Sequence, residues 1–113
     1  MIVEDDEILR ELYLETISLA GMEVIASLDN GASAVEMIKS GSAVDLIIMD
    51  HRMPGMSGLQ AIKEIRRIRP DISVIFATAD DVEDSVLTGR NVVVLLKPFG
   101  MEQLINAVKR LRK

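Results

Sequence analysis

Short apolar runs alternate with segments of helical periodicity along the chain. In the segments 8–20, 34–38, 58–68 and 101–111, apolar residues recur at spacings of three and four, which is typical of helices with one buried face. The runs between these segments are short and rich in aliphatic and β-branched residues, which favours strands. We therefore predict five strands, at residues 1–3, 23–28, 46–49, 72–77 and 92–96.

The order of these elements predicts the fold class. Strand and helix alternate five times, with a short helix at residues 82–87 before the fifth strand. This alternation predicts an α/β domain with a doubly wound parallel sheet, helices on both faces and right-handed crossovers. It does not give the order of the strands. The 113 residues fit a single domain, residues 1–113.

Composition restricts the classes of function. Hydrophobic residues make up 49% of the chain, enough for a core, and the absence of Cys excludes disulfides and thiolate metal sites. A net charge of −5 disfavours direct nucleic-acid binding as the main role. No apolar run is long enough to span a bilayer, and the acidic start does not resemble a signal peptide. We expect a soluble cytoplasmic protein.

The stretch 45–58 joins a buried strand to a loop. Residues 46–49 are continuously apolar, as in a strand covered on both faces, and Pro54, Gly55 and Gly58 then break the chain. Asp50 lies at the junction, at the carboxyl end of the strand. Ligands bind beyond these ends in open α/β sheets, although Asp also commonly starts a turn. The residues at the other strand ends help to decide between these two interpretations.

Polar side chains also follow the other predicted strands. In a parallel sheet all carboxyl ends lie along one edge, so these side chains can converge on one pocket. Carboxylates about 4 Å apart repel by about 4 kcal/mol at an effective dielectric of about 20, and such a cluster must bind protons or a cation. An all-oxygen site with few protein ligands suits Mg²⁺. The residues are Glu4, Asp5 and Asp6 after the first strand, Asp50 after the third, Thr78 after the fourth and Lys97 after the fifth.

Each of these residues also has a purely structural interpretation. The acidic run 4–7 is typical of a helix start, with Asp5 or Asp6 as the cap. Thr78 is an ordinary residue for a strand end, and Lys97 is an ordinary residue for a solvated loop. The interpretations are independent of one another, yet the placements agree, and this agreement favours a shared site.

Several other residues are assigned to packing or to the surface. We expect His51, the one histidine, to be exposed to solvent rather than a ligand. The basic end, residues 109–113, is interpreted as a solvated helix face that complements the helix C-terminus. We interpret three methionines as packing residues: Met53, Met56 and Met101.

Four motifs occur in order along the chain. They are Val3-Glu4-Asp5-Asp6-Glu7, Met49-Asp50-x-x-Met53-Pro54-Gly55-Met56-Ser57-Gly58, Thr78-Ala79 and Lys97-Pro98-Phe99. With these motifs the chain resembles, over essentially its whole length, the receiver domain of two-component response regulators, the CheY-like family. The resemblance implies a sheet in the order 2-1-3-4-5. It also implies a mechanism in which the phosphohistidine of a histidine kinase gives its phosphoryl group to an aspartate.

The resemblance also implies roles for individual positions. Asp50 would be the phosphoacceptor, and Thr78 and Lys97 would contact the phosphoryl group. Asp6 falls one place past the usual acidic pair and is interpreted as a helix start, and the Lys97–Pro98 bond is often cis in this family. The implied ligands of Mg²⁺ are Asp5 and Asp50 directly, the backbone carbonyl of Arg52, and Glu4 through water.

Three features depart from the family pattern. Only three residues precede Glu4, so either the first strand is short or the chain begins late. The segment between Thr78 and Lys97 is also short, which predicts a reduced or irregular fourth helix. Val94 lies three positions before the lysine, where the family often has an aromatic switch residue. It can be simply a core residue, and our hypothesis is that phosphorylation persists while its output differs.

The leading hypothesis is a phosphoacceptor receiver that undergoes slow autodephosphorylation and is not an enzyme acting on an external substrate. Its implied partners are a sensor histidine kinase and a downstream effector, with no membrane and no direct nucleic-acid contact. A homodimer through the last helix and the shortened face before it stays open.

Two other classes of function also stay open. A degenerate receiver, acting as a phosphate-independent binding or dimerisation module, would agree with the shortened fourth helix, but the complete set of site residues argues against it. A Mg²⁺-dependent phosphohydrolase usually has a second aspartate two residues after its nucleophile, and this chain has Arg52 there.

Overall fold

A computed structural model, which describes residues 1–112, contains five parallel strands in one sheet, in the order β2-β1-β3-β4-β5. The strand order that the resemblance implied is confirmed. Lys113, the last residue of the predicted domain and of its basic end, lies outside the described residues. In chain order the elements are β1 (Ile2–Val3), α1 (Glu7–Leu19), β2 (Ser27–Leu28), α2 (Gly31–Lys39), β3 (Leu46–Asp50), α3 (Gly58–Ile68), β4 (Ser73–Thr78), a 3₁₀ turn (Ser85–Leu87), β5 (Val92–Leu96) and α4 (Met101–Leu111).

The central strands β3 and β4 carry the core. They pair in register along all of β3, and β4 is buried throughout. Because side chains alternate between the two faces, Ile47 and Met49 pack with α2 and α3, whereas Ile48 packs with α1 and α4. Two apolar layers therefore hold β3 in place, and with it the position of Asp50 at its end.

The edge strand β2 is shorter than the sequence predicted. The predicted strand covered residues 23–28, but only Ser27 and Leu28 are paired. The neighbouring strand β1 contains only Ile2 and Val3, so it offers partners to those two residues alone. The first strand is short, which was one of the two alternatives left open by the sequence. The longer β2 was wrong because pairing depends on the length of the neighbouring strand.

The acidic run before α1 contributes one residue to the helix start. Asp6 is the N-cap, and its Oδ1 accepts hydrogen bonds from the backbone N–H groups of Ile8 at 3.0 Å and Leu9 at 3.1 Å. This confirms Asp6 as a helix start. The buried face of α1 is narrower than predicted, because Ile8 and Leu12 are exposed whereas Tyr13 is buried.

The segment between β4 and β5 confirms the prediction of a reduced fourth helix. The predicted helix at residues 82–87 is a single 3₁₀ turn, Ser85–Leu87, capped by the side chain of Asp84. Because no full helix covers this part of the sheet in the described chain, Val94 is 39% exposed and Leu96 is exposed as well. The interpretation of Val94 as simply a core residue is therefore wrong.

The predicted methionine packing residues and the predicted basic surface residues agree with the structure. Among residues 1–112, no helix combines the length and the apolar character needed to cross a bilayer. In the described part of the basic end, Lys109, Arg110 and Arg112 are exposed. The three methionines pack as predicted. Met53 belongs to the core cluster on the α2 and α3 side of the sheet, and Met56 packs against the same cluster. Met101 packs against the cluster on the α1 and α4 side.

The start of α3 lies directly against the end of β3. The N–H of Gly58 donates a hydrogen bond to the carbonyl of His51 at 2.7 Å, and Ser57 and Gln60 close the helix start as a capping box. A Cβ added to Gly58 would lie 1.9 Å from the carbonyl oxygen of Asp50. Glycine at this position therefore allows α3 to hold the loop that follows Asp50.

We predict that Gly58→Ala lowers the free energy of unfolding by about 3 kcal/mol, because the added methyl group meets backbone atoms that cannot rotate away. The control is Gly100→Ala at the start of α4, where an added Cβ meets nothing within 4 Å. That change costs at most about 1 kcal/mol, the value of a helix cap. Urea unfolding followed by circular dichroism measures both, and equal losses would contradict the prediction.

Candidate functional site

The carboxyl ends of β1, β3, β4 and β5 open into one cleft. Parallel topology brings these ends to the same edge of the sheet, as predicted. Every residue that the sequence assigned to the site lines this cleft, and their individual roles stay predictions. The lining residues are Glu4, Asp5, Asp6, Leu9, Asp50, Arg52, Thr78, Ala79 and Lys97.

Three carboxylates meet in the cleft. Glu4, Asp5 and Asp50 each place one oxygen within 4.8 Å of the other two. Glu4 and Asp50 are buried, with exposed fractions of 1% and 4%, whereas Asp5 is exposed. Like charges at this spacing repel, and more strongly where water is excluded. The hard oxygen donors and the one open side fit Mg²⁺, which retains several of its waters when bound.

One ammonium group partly neutralises this cluster. Nζ of Lys97 lies 2.6 Å from Oδ1 of Asp50 and 3.1 Å from Oε1 of Glu4. Burial lowers the pKa of Lys97, but the hydrogen bonds to Asp50 and Glu4 outweigh burial and raise the pKa above its ordinary value. The ammonium therefore stays charged. The peptide bond between Lys97 and Pro98 is cis, as the resemblance implied.

Glu4 is a buried carboxylate with a raised pKa. Its Oε2 accepts a hydrogen bond from the N–H of Asp6 at 3.2 Å. Burial raises the pKa of Glu4 to about 7; the charge of Asp50 adds to this, while the Asp6 N–H and Lys97 oppose it. A cation entering the cleft would favour the ionised form of Glu4, so this cluster is suited to exchange a proton for a metal ion.

Thr78 is buried at the end of β4, and its hydroxyl is engaged with its own loop. Oγ1 accepts a hydrogen bond from the N–H of Asp80 at 2.9 Å and lies 3.4 Å from the carbonyl oxygen of Asp80. The second distance is long for an O–H donor, so this contact is weak. The hydroxyl proton can therefore be donated to another acceptor in the cleft at little cost.

A side-chain pair that the sequence did not predict bridges two loops of the cleft. The guanidinium of Arg52 donates two hydrogen bonds to the carboxylate of Asp80, one from Nη2 to Oδ1 at 2.8 Å. The prediction for Arg52 concerned only its backbone carbonyl. The available signal was the opposite charge of two residues that follow neighbouring strands. Because the pair is largely exposed, it joins the loops rather than contributing much to stability.

The prediction that His51 is exposed to solvent is wrong. Its ring is half-buried against Phe76, with the ring centroids 5.2 Å apart, and its Nδ1 is buried without a hydrogen-bond partner among the described residues. Phe76 belongs to the core cluster on the α3 side of the sheet. The N–H of Gly58 holds the His51 backbone against the start of α3, so the ring lies against Phe76 rather than in solvent.

Comparison with known proteins gives consistent matches over most of the chain. The family profile described as "Response regulator receiver domain" matches residues 1–109. Chemotaxis protein CheY of Bacillus subtilis (strain 168) is 33% identical over 114 residues, which cover 97% of this chain and 93% of that protein.

Two solved structures have the same fold. The crystal structure of a response regulator receiver protein from Sinorhizobium medicae WSM419 gives a TM-score of 0.86 at 31% identity, covering 97% of this chain and 90% of that chain. The response regulator protein TrrA from Thermotoga maritima, solved in complex with Mg²⁺ and BeF, gives a TM-score of 0.78 at 34% identity. The match covers 98% of this chain and 96% of that chain.

We predict that Lys97→Met destabilises the metal-free protein by about 2 kcal/mol, because it leaves two buried carboxylates without their shared cation. This is less than the usual cost of breaking a buried pair, since the Lys97 side chain is 26% exposed. The control is Lys63→Met, which removes a partly exposed ion pair of 2.8 Å with Asp84 and costs under about 1 kcal/mol. Urea unfolding in the presence of a chelator compares them.

The double variant Lys97→Met, Asp50→Asn provides a second check on the same interaction. Removing one carboxylate relieves part of the repulsion, so the double variant should be more stable than Lys97→Met alone. Strictly additive effects of the Lys97 and Asp50 substitutions, or equal losses in the two lysine variants, would show that Lys97 does not act through these carboxylates.

Proposed function

This chain belongs to the family of response regulator receiver domains, and on that premise we propose that Asp50 accepts a phosphoryl group from a sensor histidine kinase in a Mg²⁺-dependent reaction. The observation that carries the proposal is the contact of Lys97 Nζ with both Asp50 and Glu4, at 2.6 Å and 3.1 Å. Phosphoryl transfer depends on positioning and charge neutralisation, and this cleft offers a buried carboxylate beside a fixed positive charge.

We propose Mg²⁺ as the cofactor of this site. Asp5 and Asp50 would hold the ion directly, with the backbone carbonyl of Arg52, and Glu4 through water. When bound, the ion supplies positive charge beside the transferring phosphoryl group. The spacing of the three carboxylates supports this assignment, as does the similar regulator TrrA, which was solved with Mg²⁺ and a beryllofluoride group.

The proposed transfer is a displacement at phosphorus. An oxygen of Asp50 forms the new P–O bond while the P–N bond to the kinase imidazole breaks, and the imidazole, protonated on its other nitrogen, leaves as the neutral ring. Lys97 already contacts the attacking carboxylate, so its ammonium can follow the negative charge onto the phosphoryl oxygens. Asp50 is thereby converted into an acyl phosphate.

Thr78 is proposed to convert this modification into a change of shape. Its hydroxyl proton is held only weakly by the carbonyl of Asp80, at 3.4 Å, so a phosphoryl oxygen is the stronger acceptor. Donating to that oxygen would draw the end of β4 and the following loop toward Asp50. The Arg52–Asp80 pair would then have to move with the loop or separate.

The signal ends by hydrolysis in the same site. Water attacks phosphorus, the acyl P–O bond breaks, and the products are inorganic phosphate and the original carboxylate of Asp50. Receiver domains are signalling proteins rather than classical enzymes, and we propose that this chain likewise acts on no external substrate. We also place it in the cytoplasm, with its kinase and effector as partners and no nucleic-acid contact of its own.

The proposed output surface consists of α4 and the uncovered face around Val94. The 3₁₀ turn leaves Val94 and Leu96 partly exposed, and Val94 has no aromatic ring to rotate. A downstream effector or a second copy of the chain would therefore recognise a displaced loop rather than a rotated ring. The 3₁₀ turn is also the one observation that favours the alternative of a degenerate, phosphate-independent binding module.

We predict that incubation with acetyl phosphate and Mg²⁺ adds the mass of one phosphoryl group, and that the added group is lost in mild base. Asp50→Asn should abolish the addition, because an amide is not a nucleophile. The control is Asp45→Asn at the opposite end of β3, where the carboxyl is exposed and far from the cleft. It should retain full labelling.

Intact-protein mass spectrometry at several times after removal of the donor measures both addition and loss. An unmodified wild type would favour the degenerate module over the receiver. Continuous phosphate release from many unrelated phosphate esters would instead indicate a phosphohydrolase.

A further inference from the structure

Tyr13 is a buried polar side chain to which the proposed reaction gives no role. It lies in the middle of α1 and is only 1% exposed. Its hydroxyl has no hydrogen-bond partner among residues 1–112. Leaving a buried hydroxyl unpaired costs about 1–3 kcal/mol, so a native structure that contains one calls for an explanation.

The position of Tyr13 places its ring beneath the acidic cleft. Tyr13 follows Asp6 by two helical turns and Leu9 by one, and both of these residues line the cleft. Its ring stacks on Phe99, with the ring centroids 6.0 Å apart and the planes 16° from parallel. Phe99 follows Lys97 by two residues, so the ring lies between α1 and the segment that carries the ammonium group.

The electrostatic environment of the hydroxyl agrees with this placement. Burial raises the pKa of Tyr13, and the negative charges of Glu4, Asp50 and Asp6 raise it further, with Glu4 contributing the most of the three. A phenol among carboxylates acts as a hydrogen-bond donor, since it keeps its proton. The hydroxyl is thus an unused donor on the buried side of the cluster.

We propose that Tyr13 is a positioning residue whose hydroxyl donates a hydrogen bond to Glu4 once Lys97 has turned to the phosphoryl group on Asp50. This inference rests on the proposed phosphorylation of Asp50. In the unphosphorylated protein, Oε1 of Glu4 accepts from Lys97 at 3.1 Å, and the Tyr13 hydroxyl is idle. Phosphorylation draws the ammonium away, and a buried carboxylate oxygen loses its donor.

The exchange would satisfy two groups at once. The carboxylate of Glu4 is buried, so an oxygen without a donor is costly, and the hydroxyl of Tyr13 is already unpaired. Their hydrogen bond forms only in the phosphorylated state, so it stabilises that state selectively. Tyr13 therefore shifts the equilibrium between the two states, whereas a residue that only packs would stabilise both equally.

The test compares Tyr13→Phe, which keeps the stacked ring and removes only the hydroxyl, with the wild type. Without phosphoryl analogue, the variant should be at least as stable as the wild type, because an unpaired buried hydroxyl is lost. With Mg²⁺ and beryllofluoride, it should bind the analogue about 10-fold more weakly, the value of one hydrogen bond to a charged group. Phe99→Leu, which retains the hydroxyl, should mainly lower stability in both states.

A spectroscopic measurement follows the hydroxyl directly. Tyr13 is the single tyrosine and the chain has no Trp, so absorbance and emission at wavelengths beyond the phenylalanine band report on Tyr13 alone. Addition of Mg²⁺ and beryllofluoride should shift its absorbance to longer wavelength and quench its emission, as donation to a carboxylate does. Asp50→Asn should show neither change.

The outcomes separate this inference from the function on which it rests. If the wild type does not bind beryllofluoride, the proposed phosphorylation fails, and the role of Tyr13 fails with it. If the wild type binds but Tyr13→Phe binds equally well, or if the tyrosine spectrum is unchanged on binding, only the role of Tyr13 is overturned.

Discussion

Three carboxylates and one ammonium share the cleft at the carboxyl edge of the sheet, and the fold must hold the three negative charges together. Glu4 and Asp50 are almost fully buried, so water screens their repulsion poorly. Lys97 neutralises part of the negative charge. The stability of the apolar layers on both faces of β3 and β4 offsets the repulsion that is left. The remaining negative charge makes the cleft receptive to a divalent ion.

The fold restrains the backbone firmly on one side of this charge cluster and weakly on the other side. Asp50 ends a strand that is paired on both edges, and Gly58 brings α3 against its carbonyl. Between Thr78 and β5, one 3₁₀ turn and two ion pairs restrain the chain, Arg52–Asp80 and Lys63–Asp84. On the proposed function, a change of charge at Asp50 would therefore displace the weakly restrained loop rather than the strand.

The convergence of the site residues could be predicted from the sequence because it follows from topology alone. Once strands are parallel, the residues after β1, β3, β4 and β5 must share an edge, so Asp5, Asp50 and Lys97 could be placed together without coordinates. Features that depend on tertiary neighbours could not be predicted. The length of β2 depends on β1, the burial of His51 depends on the path of a loop, and the exposure of Ile8 depends on which face of α1 meets the sheet.

The proposed function depends on a charge cluster that is repulsive without a bound cation and whose repulsion Mg²⁺ would relieve. The most direct measurement is the free energy of unfolding of the wild type and of Asp50→Asn, each in chelator and in excess Mg²⁺. We predict that Asp50→Asn is the more stable protein in chelator, because one negative charge is gone while the amide oxygen can still accept from Lys97, and that Mg²⁺ stabilises the wild type far more than the variant. A less stable Asp50→Asn in chelator, with equal stabilisation of both proteins by Mg²⁺, would contradict the account.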